Sequence, residues 1–216
     1  EDGTIIEKEL LTDLSETPIH DYLAEEVDGK MVWKEEYQYM DQVQISFLTY
    51  LSDGLKVKGF MVEPKKAGEY PGLIINRGGN REFGNLKVAH AAMWLGKYAA
   101  EGYVVVASQY RGNAGGEGQE EFGGADVNDV LNLIPVLDKT KNCDSERIGM
   151  IGWSRGGMMT YLALTRTDRI MAAAVGGALS NLKSNVANRP EMESKVVAEL
   201  VPNYKGNEDA KLEARS

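Results

Sequence analysis

Ser154 is the residue of this chain whose surroundings best suit chemistry. It lies in Gly152-Trp153-Ser154-Arg155-Gly156, a G-x-S-x-G pattern. Ile148, Met150 and Ile151 before it make a short apolar run, as a buried parallel strand would. Met158 to Arg166 after it reads as a helix. Strand, tight turn and helix is the setting in which this pattern raises a serine hydroxyl at the carboxyl end of a sheet. The same turn aims the Arg155 backbone N–H at the point where a substrate oxyanion would form. Glycine at 152 and 156 has a steric reason: a side chain there would press on the adjoining strand and helix. The plainer alternative is that Ser154 caps the helix. A strand on one side and a helix on the other favour the nucleophile.

Asn76-Arg77-Gly78-Gly79-Asn80 directly follows the apolar run Leu73-Ile74-Ile75. A glycine loop in that place can supply a second oxyanion N–H, from Gly78 or Gly79, because the backbone can approach a substrate closely. A serine nucleophile also needs a base, usually histidine, and an acid to orient it. The two histidines are His20 and His90, and both precede Ser154. Where a serine follows a strand in this manner, the acid and the histidine come after it in the chain. His90 lies among Ala89, Ala91 and Ala92 and reads as a helix residue rather than a base; His20 reads as a surface residue. Asp126 and Asp129 lie one turn apart near a helix start, where capping and solvated charge are the ordinary reading. The glycine-rich stretch Gly112 to Gly118 lacks the G-K-[ST] ending of a phosphate loop and is not followed at once by a helix. It reads as a mobile loop at the carboxyl edge of the sheet. No H-x-x-x-H, C-x-x-C or H-E-x-x-H spacing occurs, so neither a metal site nor a cofactor is expected.

The chain has 216 residues and a net charge of −9. That charge repels nucleic acid and anionic lipid, so neither is an expected partner. A single cysteine, Cys143, excludes an internal disulfide, and no apolar run suits a membrane span. The chain opens on Glu1-Asp2-Gly3 rather than methionine. Either a leader has been removed or the sequence belongs to a longer product, and cytoplasm and export both stay open.

The elements that must position Ser154 follow from periodicity. Residues 5–30 are polar with scattered apolar positions and predict one or two short helices, an arm over 1–40 packed on a main domain over 41–216. Val43, Ile45, Phe47, Thr49 and Leu51 alternate with polar residues, as a half-buried strand does. Asp53-Gly54 turns it into a second strand, Leu55 to Val62. Further strands are predicted at 73–75, 103–107 and 170–175, with helices at about 86–100 and 125–137 between them. Strands alternating with helices predict a parallel sheet covered on both faces. The stretch from Ser180 to Ser216 is polar and helical in character.

Several segments in order resemble one known family. They are Gln109-Tyr110-Arg111-Gly112, then Phe122 to Val130, then Arg147-Ile148-Gly149, then Gly152 to Gly157, with Ala163 to Arg166 and Asp168-Arg169 beyond. Together, over about residues 55–182, they resemble the prolyl oligopeptidase family of serine peptidases. The resemblance implies an α/β-hydrolase fold, with an antiparallel amino-terminal hairpin on a mostly parallel sheet. It implies Ser154 as nucleophile, the Arg155, Gly78 and Gly79 amides as oxyanion donors, and peptide or ester substrates. Arg77, Asn80 and Tyr110 become candidate substrate contacts. Residues 76–80 stand where the family often has H-G-G-P, so Arg77 and Asn80 depart from its pattern. The family's acid and histidine lie on later strands and loops, which predicts the front part of a longer hydrolase, truncated at its carboxyl end. This chain alone is then expected to be inactive and to associate with a carboxyl-terminal fragment of the same protein or with itself. Two other readings use the same scaffold: an esterase of the dienelactone type, and a binding protein that keeps the turn without catalysis.

Overall fold

Continuous apolar runs become the interior strands, and the alternating run becomes a hairpin buried more fully than its alternation predicts, with Ser46, Thr49 and Ser52 covered as well. The computed structural model describes residues 1–216. Its strands are β1 (Ile5–Leu10), β2 (Ala24–Val27), β3 (Lys30–Trp33), β4 (Val43–Ser52), β5 (Leu55–Pro64), β6 (Tyr70–Asn76), β7 (Val104–Ser108), β8 (Cys143–Trp153) and β9 (Ile170–Gly176). Seven form one mixed sheet in the order β1-β4-β5-β7-β6-β8-β9, while β2 and β3 make a separate hairpin. The strands β7, β6, β8 and β9 run parallel. The strands β1, β4 and β5 pair antiparallel, and β5 joins β7 antiparallel. Asp53 and Gly54 turn the β4–β5 hairpin with φ of 52° and 77°, the left-handed pair that a two-residue hairpin favours.

Every residue of β7 is buried, because it lies mid-sheet with helices on both faces. Helices Val127–Leu131, Leu133–Asp138 and Arg155–Leu164 pack on one face, around Met150, Met158 and Leu133. On the other face, Val88–His90, Ala91–Leu95 and Gly96–Ala100 run on as one helix with a wide central turn. It packs Leu95 and Ala99 against Ile75 and Val105. Residues 182–213 are mainly helical and set Leu182, Val186, Val197 and Leu212 into the first of these cores. No helix is long and apolar enough to cross a membrane.

The amino-terminal arm corrects the helical expectation. Residues 5–10 are a strand paired with β4, the only helical turns before residue 35 lie at His20–Leu23, and a hairpin follows. An edge strand such as β1 is exposed on both faces, so Ile-Ile-Glu-Lys-Glu-Leu shows no clean alternation. Its pairing partner lies some forty residues downstream, which no local pattern reveals. At the opposite edge, β9 is open to solvent: Met171 is 72% exposed, and Ala172 to Val175 are exposed as well.

Candidate active site

The carboxyl ends of the parallel strands lie in one row. Asn76 of β6 pairs in register with Ser108 of β7 and with Gly152 of β8. The three loops leaving that row therefore start side by side, which is where open α/β sheets bind ligands. Ser154 sits at the turn between β8 and helix Arg155–Leu164, with φ 55° and ψ −121°. A serine with positive φ is strained, and that strain holds when neighbours over-determine the turn. Here they do. The Ser154 N–H donates to Gly176 O at 2.8 Å, and Gly157 N–H donates to Ser154 O at 3.0 Å. A methyl group on Gly156 would overlap the carbonyl oxygens of Asn76 and Arg77, so the helix start is pressed onto the end of β6.

The glycine loop after β6 closes the other side. A side chain on Gly78 would lie 3.2 Å from Ser154 Cβ and 3.8 Å from its Oγ. Gly78 thus stands directly beside the hydroxyl, and Gly79 turns away with φ 72°. Gly78 and Arg155 thus border Ser154 from the loop side and from the helix side. Asn80 is half-buried and bridges to Phe83.

Arg77 and Tyr110 do not face solvent. Arg77 is 1% exposed and donates to Gln109 O at 2.7 Å from Nη2 and 3.1 Å from Nε. It also donates from Nη1 to Gly78 O at 3.1 Å. Tyr110 is fully buried, with its hydroxyl donating to Arg77 O at 2.9 Å. Neither side chain has a free surface to offer a substrate, which corrects the direct contact expected of them. Burial pushes the Tyr110 hydroxyl well above the ordinary phenol value despite the nearby Arg155 and Arg77 charges.

Asp126 and Asp129 also correct the solvated reading. Both are fully buried. Asp126 pairs with Arg155 Nη2 at 2.5 Å and accepts from Gly123 N–H at 2.9 Å. Asp129 grips Arg111 through its side chain and backbone, and Ser52 Oγ donates to it at 2.6 Å. Glu120, which sequence reasoning did not single out, joins Arg155 from a second direction and accepts from Arg81 N–H. The Arg155 guanidinium lies over the Tyr110 and Phe122 rings at 4.9 and 4.7 Å from their centroids. Burial opposes its charge, yet Asp126 and Glu120 raise its pKa above the ordinary arginine value. The Gly112–Gly118 loop is tied to β5 by Glu117 N–H donating to Lys56 O and Lys56 N–H donating to Glu117, contacts that a free-hanging loop would lack.

Neither histidine bonds to Ser154. His90 is exposed, and its Nδ1 accepts the Lys87 N–H at 2.9 Å, closing the first turn of its helix. Partial burial, with Lys87 adding to it, holds its pKa below the ordinary value. His20 is half-buried rather than at the surface and packs edge-on to Trp33 at 6.0 Å. Beside Gly78 opens a cavity of about 590 Å³ lined by His90, Trp94, Ile151, Trp153 and Val175. Trp153 is 61% exposed there. The two flanks of Ser154 thus differ: one is packed and hydrogen-bonded, and the other is apolar and uncovered.

Comparison with known proteins agrees with this geometry. The sequence model of the prolyl oligopeptidase family matches residues 88–187, a span that includes the elbow and the two buried aspartates. Over those residues the chain is similar to the prolyl oligopeptidase family. An uncharacterised peptidase of Bacillus subtilis, YtmA, is 39% identical over 120 residues, covering 56% of this chain and 45% of its own. Dipeptidyl-peptidase 5 of Porphyromonas gingivalis is 28% identical over 153 residues, covering 65% of this chain and 22% of its own. The chain therefore spans less than half the length of these curated relatives. Among solved structures, the acylaminoacyl peptidase of Pyrococcus horikoshii matches with a TM-score of 0.63 at 23% identity, over 87% of this chain and 33% of its own. An acetyl xylan esterase of Paenibacillus sp. R4 matches at 0.59 and 19% identity, over 82% of this chain and 63% of its own. These likenesses establish the α/β-hydrolase fold.

Proposed function

We propose that Ser154 is the nucleophile of a serine hydrolase that cleaves a peptide or ester bond through an acyl-enzyme. The observation that carries this reading is the strained Ser154 turn with Gly78 packed beside its hydroxyl. A backbone that holds strain at one hydroxyl, with a glycine loop close beside it, suits a group that must meet an incoming carbonyl. In the first step Ser154 Oγ adds to the acyl carbon as its proton passes to a base. The Arg155 N–H and the Gly78 or Gly79 N–H take the charge on the former carbonyl oxygen. Collapse expels the amine or alcohol, and water then releases the acid. The family relationship supports peptides as the substrate class, and the same steps serve an ester.

The base in this reading is a histidine from outside these 216 residues. His90 Nδ1 is already engaged at its helix start, and His20 packs on Trp33. The uncovered apolar flank formed by Ile151, Trp153 and Val175 is where a covering segment would bring that histidine to Ser154. Such a segment is a carboxyl-terminal part of the same protein, or another copy of the chain. The 216 residues alone then turn over substrate little, since an unassisted serine hydroxyl is a weak nucleophile.

The test compares the natural gene product with the 216-residue chain on chromogenic esters and aminoacyl-amides. Hydrolysis by the gene product, lost in Ser154→Ala and nearly absent from the isolated chain, is the expected result. Full turnover by the isolated chain would return His90 as the base. Turnover that survives Ser154→Ala would overturn the nucleophile.

A further inference from the structure

The loop beside Ser154 is held from below through its carbonyl oxygens. Three successive peptide units, the first two carrying the Gly78 and Gly79 amides, each have the carbonyl engaged by a different buried side chain. Tyr110 Oη donates to Arg77 O at 2.9 Å. Arg77 Nη1 donates to Gly78 O at 3.1 Å. Arg155 Nη1 donates to Gly79 O at 3.1 Å. In a trans peptide the C=O and the N–H of one unit point in opposite directions. A bond that fixes the Arg77 carbonyl therefore fixes the Gly78 N–H, and one that fixes the Gly78 carbonyl fixes the Gly79 N–H. Buried groups on one side of the loop so determine where its amides point on the other.

The three side chains also hold one another. The Arg77 and Arg155 guanidiniums both lie over the Tyr110 ring, each 4.9 Å from its centroid. Arg155 is fixed in turn by Asp126 and Glu120. Glu120 accepts from Arg81 N–H, and Arg77 Nη2 donates to Arg81 O at 3.4 Å, so the far end of the loop is tied to the same group. Tyr110 itself is kept at φ 61°, a strained value for an aromatic residue. Strain tolerated at a fully buried residue needs a return, and aiming its hydroxyl at the Arg77 carbonyl supplies one.

We infer that Tyr110 and Arg77 are positioning residues that orient the Gly78 and Gly79 amides toward the oxyanion of the Ser154 reaction, while the Arg155 side chain holds the next peptide unit of the loop. They do so without touching substrate. The inference rests on the proposed role of Ser154. Donors aimed in advance need no reorganisation as charge develops, and that is where such sites gain their rate. Tyr110 and Arg77 thus divide the work: the first sets Gly78 N–H, and the second sets Gly79 N–H.

The test uses the natural gene product and two mild variants, Tyr110→Phe and Arg77→Lys. Tyr110→Phe removes one hydroxyl from an unchanged ring. Arg77→Lys keeps the charge and loses the planar fork. Ser52→Ala is the control, since it removes a buried hydroxyl bonded to Asp129, away from the loop. Two readouts are taken: ester kinetics with the rate of fluorophosphonate labelling, and amide hydrogen exchange over residues 76–81. A whole oxyanion donor is worth about 100- to 1,000-fold in kcat, so misaiming one should lower kcat and labelling about 10-fold, with KM changed less than about 2-fold. Exchange at residues 78–80 should quicken in both loop variants, and Ser52→Ala should change neither readout at the loop. Unaltered exchange and an unaltered rate in Tyr110→Phe and Arg77→Lys would overturn the inference. A wild-type protein that takes up no label, but whose loop exchange responds as described, would instead sink the Ser154 reading and leave the orienting role standing.

Discussion

Asp126 and Asp129 lie one helical turn apart, and each buries its carboxylate against an arginine, yet they hold different parts of the molecule. Asp129 takes Arg111 through three donors and Ser52 through a fourth, and Arg111 reaches on to Asp53 at the hairpin turn. That cluster fastens the antiparallel front of the sheet to its helices. Asp126 takes Arg155, whose backbone begins the helix after Ser154 and whose side chain reaches the Gly79 carbonyl. That cluster fastens the elbow to the loop facing it. A buried ion pair is weak evidence of net stability, because desolvation offsets much of the attraction. What such a pair does is decided by the backbone at its two ends. One pair ends on a hairpin, and the other ends on the loop beside Ser154.

The largest effect is expected where the Arg155 side meets the loop with no free space. Gly156→Val must displace the Asn76 and Arg77 carbonyls, so it should cost about 3 kcal/mol or more and abolish labelling of Ser154. A melting temperature equal to wild type would mean that the elbow is not close-packed. Next comes Asp126→Asn, which leaves Arg155 buried with one carboxylate fewer. It should lose about 3–5 kcal/mol and, in the fraction still folded, label more slowly. Asp129→Asn is the paired case. It should lose a similar amount, about 3–5 kcal/mol, but label at the wild-type rate per folded molecule. Denaturant melts and labelling rates on the same samples compare the two. Equal loss of labelling in both variants would break the distinction drawn here. The smallest effect belongs to Ser52→Ala, at about 2 kcal/mol for a buried hydroxyl that donates to the Asp129 carboxylate, with labelling unchanged.

The elbow and the interior of the sheet were legible because their signals are local. Gly152 to Gly156 carries its steric logic within five residues, and Val104 to Ala107 is apolar because it is covered on both faces. The edge strand β1 was not, since its fold depends on a partner far along the chain. The aspartates were misread for a similar reason: Arg155 and Arg111 approach them from other elements. One signal was available. Asp126 and Asp129 share the helical stripe of Val130, Leu133 and Leu137, which are all buried, and charge on an apolar stripe asks for a buried partner. Arg77 and Tyr110 were named as substrate contacts because their loop was recognised. Their burial beneath it depends on how the loops after β6 and β7 stack, which spacing does not encode.

The central claim is that the strained hydroxyl at Ser154 is a working nucleophile. The most direct measurement treats the natural gene product with a fluorophosphonate and maps the adduct by mass spectrometry. The account predicts one equivalent of label on the peptide containing Gly152 to Gly157, attached at Ser154 and absent from Ser154→Ala. Stoichiometric label at another residue, or no label on a folded and complete protein, would contradict it.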